Sequence, residues 1–328
     1  MNDQGVALGW RRFQRNWILI AGMSAALALY LAVTNFSIGL SGLALPLAFV
    51  AVYAGFAYAN AHSVRRRDPQ VMFVLGSMAQ IVLVTVIMPP LTYVAAAANF
   101  PLRDAELLAI DRALGLDWAG YVGFVNDHPV LSGWLTYGYG MIRWPLFAIP
   151  VLLTAARRYC RLQDFTLAFG LALIVTTIVS ALVPAIGVYQ QIGLDPSALG
   201  NINPQAYLDQ VRDLEPVREG VLRRIDLFAL AGIVTFPSFH AASAVLYAWA
   251  LWPVRWFRPI ALIVNGAMLA STPIDGGHYF IDLIAGIAVA LASIWVACRL
   301  DRAPVRSHAA GGAMATLAGA ATSTTPAE

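Results

Sequence analysis

Residues 271–298 read STPIDGGHYFIDLIAGIAVALASIWVAC. The second half is almost wholly apolar, while the head holds Asp275, His278 and Asp282. About 20 mostly apolar residues cross a bilayer as a helix, so 279–298 is expected to span a membrane with the polar cluster at its entrance. Ionisable groups inside a membrane cost about 2.5–3.5 kcal/mol at a helix centre on insertion scales, and function is the default reason for keeping them. This stretch therefore points both to the fold class and to the chemistry.

The rest of the chain agrees. Of 328 residues, 59% are hydrophobic and 12% charged, with mean hydropathy +0.67. A soluble domain carries about twice that charge. Apolar runs at 17–35, 38–60, 70–97, 132–155, 165–187, 237–252, 259–274 and 279–298 predict an all-α fold. It is a polytopic membrane helical bundle of about eight transmembrane helices. The prolines at 89–90 and from Pro145 to Pro150 are expected to kink their helices rather than end them. The stretch RRFQRNWILIAGMSAALALYLAVT, residues 11–34, has no short apolar region with a small-residue cleavage site and reads as a retained first span.

Three parts follow. Residues 1–62 hold an N-terminal segment and two extra spans. Residues 63–300 form a six-helix core with outer loops at 98–131 and 188–236. Residues 301–328 are low in complexity and read as a disordered tail. No internal repeat is visible.

The chain contains no lysine, and all 21 basic residues are arginines. If eight spans alternate, Arg11, Arg12, Arg15, Arg65 to Arg67, Arg157, Arg158, Arg161, Arg255, Arg258, Arg299, Arg302 and Arg306 share one side. Arg103, Arg112, Arg212, Arg218, Arg223 and Arg224 fall on the other, and Arg143 lies within a span. The arginine-rich side is the cytoplasmic one, which puts both termini in the cytoplasm and the 271–282 cluster on the outer face. The expected location is the plasma (inner) membrane of a bacterium, with the cluster facing the periplasm. A net charge of +3 is too small to suggest nucleic acid. Cys160 and Cys298 fall near cytoplasmic span ends, so no disulfide is expected.

Two outer segments stand out. In PLRDAELLAIDRALGL, residues 101–116, Leu107, Ile110 and Leu114 share a helical face opposite the charges. That pattern fits a helix lying in the membrane interface, or equally a solvated loop helix. The outer loop 188–236 holds ten charged residues, and loops of that length are usually functional or disordered.

A second polar cluster, TFPSFHAAS at 235–243, opens the sixth span. Pro237 suits a first helical turn, which sets Ser238 and His240 beside backbone N–H groups at a helix N-terminus, an end that attracts phosphate. His278 and Asp282 are four residues apart and share a helix face. The carboxylate can hold one imidazole nitrogen and leave the other free to attack. Gly276 and Gly277 leave room where a substrate would approach. Two histidines on one membrane face, one with a carboxylate orienter, suit phosphoryl transfer: one attacks phosphorus and the other protonates the leaving oxygen.

These motifs resemble those of the type-2 phosphatidic acid phosphatase superfamily. Its second motif, Pro-Ser-any-His, corresponds to Pro237-Ser238-Phe239-His240. Its third, Ser-Arg, five residues, His, three residues, Asp, corresponds to Ser271-Thr272 with His278 and Asp282. The similarity is read over spans three to eight. The resemblance implies that His278 is the nucleophile, Asp282 its orienter and His240 the general acid, with Ser238 on the phosphate. It implies a lipid phosphate as substrate and no metal or other cofactor. Thr272 stands where the third motif has arginine, and the first motif, with its lysine and arginine, is absent. FPSFHAA and TPIDGGHYFID look more like the branch containing inositol phosphorylceramide synthase.

The missing cations are expected from Arg218, Arg223 and Arg224 in VREGVLRRIDLFALAGIVTFPSFH. Arg143 is expected to pair with a buried acid or carbonyl; it and Arg112 are next in line. Asp275 reads as a turn residue. Three rival readings stay open: a lipid head-group transferase, a metal site made by His240, His278 and Asp282, and a transporter. A transporter would favour ionisable groups near the midplane of repeated halves.

Overall fold

The structure is a computed structural model describing residues 3–63, 68–227, 229–230 and 232–300. The expected disordered tail, with Arg302 and Arg306, and the arginines at 65–67 lie outside the described residues.

The fold is an all-helical bundle. Its helices are α1 (Asp3–Val33), α2 (Leu40–His62), α3 (Pro69–Ala96), α4 (Asp104–Ala113), α5 (Trp118–Asn126), α6 (Pro129–Gly140), α7 (Pro145–Ala155) and α8 (Tyr159–Leu182). They continue with α9 (Val188–Ile192), α10 (Gln205–Arg218), α11 (Phe239–Leu251), α12 (Arg258–Asp275) and α13 (Phe280–Arg299). The strands β1 (Ser37–Ile38) and β2 (Arg224–Ile225) pair in parallel.

Six helices among the described residues, α1, α2, α3, α8, α12 and α13, are long and apolar enough to cross a membrane; the chain is an integral membrane protein. The runs expected at 132–155 and 237–252 contain shorter apolar helices, α7 and α11. α3 runs through Pro89 and Pro90 unbroken, as expected. The fourth run does not: it divides into α6 and α7 around Met141–Trp144. Proline has no N–H to offer the preceding turn, and Pro145 opens a new helix instead of bending the old one. α11 has 13 residues, about 20 Å at 1.5 Å per residue, against a hydrocarbon core of about 30 Å. Ile233 and Val234, just before it, run as non-helical backbone along an internal cavity, the setting in which irregular backbone is tolerated in membranes.

α1 is fastened to α3 and α8 by close approach and polar contacts. A Cβ at Gly76 would lie 2.8 Å from the Phe13 ring, and one at Gly170 2.7 Å from Leu19. Small residues of this kind let helices meet in lipid. Asn16 donates to the carbonyl and side-chain oxygens of Gln163, Gln163 donates to Ser77 Oγ, and Gln80 donates to the Phe13 carbonyl. Arg12 pairs with Asp164 at 2.5 Å.

The loops at 98–131 and 188–236 carry defined structure where described. The β1–β2 pair ties the connection after α1 to the long loop at Arg224–Ile225. α10 buries Tyr207, Gln210, Leu214 and Val217. α4 turns differently from expectation. Its buried face is Asp104, Leu107, Leu108 and Asp111, whereas Ile110 and Leu114 are exposed. The reason is hydrogen bonding. Asp104 accepts from the Ile186 and Gly187 N–H groups and the Tyr279 hydroxyl, and Asp111 accepts from the Phe280 and Ile281 N–H groups. Burial pushes the Asp111 carboxyl above its usual range, while the two N–H groups pull the other way.

Removing the Asp104 carboxylate strands two buried amides and a phenol. At about 1–3 kcal/mol for each of these unsatisfied groups, Asp104→Leu should cost roughly 3–9 kcal/mol. Denaturant titration of the purified protein in micelles, followed by tryptophan fluorescence, should read this; a change within about 0.5 kcal/mol would remove Asp104 from the account.

Candidate active site

Tyr279 and Ser238 open the two helices that carry the polar clusters. Tyr279 is the N-cap of α13, and its N–H donates to Asp282 Oδ2 at 2.9 Å. The same oxygen accepts from His278 Nδ1 at 3.1 Å. A carboxylate can only accept, so Nδ1 carries the imidazole proton and Nε2 keeps its lone pair. His278 and Asp282 are both buried. Asp111 caps the next two N–H groups, at 2.7 and 2.8 Å. The start of α13 is thus closed by two carboxylates, and its helix end holds the histidine rather than a ligand.

Ser238 N-caps α11. Its Oγ accepts from the Ala241 N–H at 3.3 Å, and it is fully buried. Its own N–H donates to the Asp282 carbonyl at 3.0 Å. Gly286 permits this contact: a Cβ there would lie 2.2 Å from the Ser238 carbonyl oxygen. The two motifs are therefore joined backbone to backbone through Ser238 and Asp282, which are 44 positions apart in the chain.

His240 and His278 line one cavity of about 570 Å³ with Arg143 and Tyr139. Tyr139 stacks on the His240 ring, centroids 3.9 Å apart and planes 17° from parallel. Arg143 sits in the break between α6 and α7, which Tyr247 holds by donating to the Ile142 carbonyl at 2.9 Å. The expected pairing of Arg143 with a buried acid or carbonyl is not seen: its guanidinium has no hydrogen bond or ion pair among the described residues. It is exposed and faces the cavity with both histidines.

Arg218, Arg223 and Arg224 are not among the residues lining this cavity. Arg218 donates to the Phe100 carbonyl. Arg223 donates to the Val217 carbonyl and lies over the Phe36 ring. Arg224 is an exposed residue of β2. The glycines also differ from expectation. A Cβ at Gly276 would meet His278 Cδ2 at 2.6 Å and the Tyr139 hydroxyl at 2.9 Å, and one at Gly277 would meet the Tyr207 ring at 2.5 Å. Both make room for protein side chains, and Gly277 also has a left-handed φ of 63°. Asp275 is buried and lies outside the cavity lining, and its Oδ2 has no partner among the described residues. Ser271 and Thr272 donate to the Met268 carbonyl of their own helix.

Sequence reasoning missed Tyr139, Asp104 and Asp111. No spacing rule links them to the motifs. The one signal for the two acids is their spacing of seven residues on a short helix, where the charges were expected opposite Leu107, Ile110 and Leu114.

The family model of the PAP2 superfamily matches residues 105–296, more than half of the chain. The match begins after α3, so the third span, expected within the similarity, falls outside it. It includes both motifs, Tyr139 and Arg143. No curated protein and no solved structure matches.

The hydrogen bond from Nδ1 makes a spectroscopic prediction. In protein labelled with ¹⁵N-histidine, the neutral His278 ring should show a protonated Nδ1 and an unprotonated Nε2. Asp282→Ala should let the proton redistribute between the two nitrogens. A protonated Nε2 in the unsubstituted protein would refute the orienting role of Asp282.

Proposed function

The chain belongs to the PAP2 superfamily, and on that premise we propose that it is a membrane-embedded phosphoesterase acting on a lipid phosphate through a phosphohistidine intermediate. Superfamily membership supports the phosphatase-type activity. The observation that carries the finer reading is the His278–Asp282 pair sharing one cavity with His240 and an unpaired arginine.

In this reading the Nε2 lone pair of His278 attacks phosphorus. The bond from phosphorus to the ester oxygen breaks, and His240 gives its proton to the departing oxygen. Water then attacks the phosphorus, the P–N bond breaks, and His240 takes up the proton that water loses. Arg143 meets the charge on the phosphoryl oxygens, with a planar fork that can bind two of them. Asp282 holds the ring and offsets the positive charge it gains. Ser238 acts on the phosphate through the start of α11, which it caps.

The lipid substrate is supported by the wall of the cavity. Pro46, Val86, Met88, Leu146, Phe147 and Leu173 are among its apolar lining. Thr85, Thr92 and Thr176 also line it, and each bonds its hydroxyl to a carbonyl of its own helix. Such a space suits a hydrocarbon chain next to a cationic end. The same apolar lining favours a second reading, head-group transfer, in which a lipid hydroxyl replaces water; this would fit the inositol phosphorylceramide synthase-like branch. The arginine asymmetry supports a site on the outer face of a bacterial plasma membrane with both termini cytoplasmic.

A labelled lipid phosphate should leave an acid-labile phosphoryl group on the protein, absent from His278→Ala. His240→Ala should slow its formation by about 10²–10⁴, and an activated leaving group should rescue His240→Ala but not His278→Ala. Arg143→Gln should lower kcat/KM by at least about tenfold, with partial return in Arg143→Lys, because lysine cannot bind bidentately. Arg218→Gln, Arg223→Gln and Arg224→Gln should each stay within about threefold of the unsubstituted rate, since none of the three lines the cavity. Equal rescue of both histidine variants would overturn the assignment of roles.

A further inference from the structure

Gln210 lines the cavity from α10 and is buried. Both hydrogens of its amide nitrogen are engaged: one bond runs to the Ile186 carbonyl at 2.7 Å and one to Thr235 Oγ1 at 2.6 Å. The Ile186 oxygen can only accept, so the nitrogen must face it, and this fixes which end of the amide is oxygen. Thr235 in turn donates to the Ala185 carbonyl, which makes its oxygen the acceptor for Gln210. The amide is thus held in one orientation, and its oxygen accepts no hydrogen bond among the described residues.

The anchor for this amide touches the catalytic loop. Ile186 precedes Gly187, whose missing Cβ would lie 2.9 Å from the Gly277 carbonyl, and Val188 N–H donates to that carbonyl at 2.9 Å. Gly277 is the neighbour of His278. A second orphan lies on another wall of the cavity: Thr177 on α8 buries a hydroxyl with no partner among the described residues. Buried polar groups are seldom left unpaired, and an orphan hydroxyl together with a fixed amide oxygen that accepts no bond, both lining the cavity that holds His240 and His278, point to a ligand with polar hydrogens.

We infer that Gln210 Oε1 is a specificity-determining acceptor for a hydroxyl group of the ligand, close to the phosphate site. The inference rests on the phosphoesterase reading. The hydroxyl belongs either to the lipid phosphate itself or to an alcohol that accepts the phosphoryl group. A neutral amide oxygen in an apolar wall selects for an O–H donor, because a ligand without one leaves that oxygen buried and unpaired.

The test uses the full chain in micelles and a matched lipid pair: a monoacylglycerol phosphate with a free hydroxyl and its deoxy analogue. Affinity is measured on His278→Ala, which cannot turn over, so failure of the chemistry would not obscure the result. The hydroxyl member should bind and, in the unsubstituted protein, react at least about tenfold better. Adding Gln210→Met should bring the ratio near one. A purely structural role would lower both members alike. If the hydroxyl is the acceptor's, the substrate ratio is near one, and Gln210→Met instead lowers transfer to an added long-chain alcohol relative to hydrolysis. An unsubstituted protein indifferent to the hydroxyl in both arms would overturn the inference. Absence of turnover on any phosphoester, with the binding preference intact, would overturn the phosphoesterase reading instead.

Discussion

Asp282 is the residue on which the rest of the site depends. One carboxylate oxygen accepts from the His278 ring and from the Tyr279 N–H, so the group that aims the imidazole also starts the helix. Its backbone carbonyl accepts from Ser238, so the same residue docks the second motif. One turn later Gly286 leaves the space that this docking needs. A substitution at 282 therefore acts on ring orientation, helix capping and motif contact together, and its effect on chemistry cannot be separated from its effect on assembly by activity alone.

Around this contact the protein buries several acids, and each has a backbone reason. Asp104 and Asp111 hold the 186–187 turn and the first N–H groups of α13. An isolated carboxylate is expensive to bury unless hydrogen-bonded, and here the donors are amides that would themselves be stranded. The arrangement satisfies both sides at once. It also keeps anions other than Asp111 and Asp282 away from the α13 end, leaving the phosphate to the start of α11 and to Arg143 in the proposed mechanism.

Much of the plan was legible in the sequence because it depends on local period. Apolar runs of span length marked the helices, and the four-residue spacing of His278 and Asp282 placed them on one face. Pro237 and Ser238 marked the start of α11. What was not legible depends on partners distant in the chain. Pro145 breaks the fourth run where the Ile142 carbonyl accepts from Tyr247 on another helix, whereas α3 continues through Pro89 and Pro90. α4 presents its acids inward because its donors lie about 80 and 170 positions away. Proximity in sequence favoured Arg218, Arg223 and Arg224 as the site's cations, yet carbonyls and a ring nearby hold the first two. Arg143, 97 positions before His240, faces the cavity instead.

The two N-terminal spans have a place in this argument. Gly42 and Pro46 of α2 line the same cavity as the histidines, and Gly42 packs against Leu227 with no room for a Cβ. The parallel pairing of β1 with β2 holds the connection between α1 and α2 against the loop that leads to α11. The family match covers neither helix. In the proposed mechanism the chemistry lies in the matched segment, while part of the cavity wall comes from outside it. For a lipid phosphate, as proposed, these are separable demands: the histidines and Asp282 need fixed geometry, and a hydrocarbon chain needs only volume and apolar surface. In that reading a wall built partly from α2 changes which chain fits without disturbing the contact between Ser238 and Asp282.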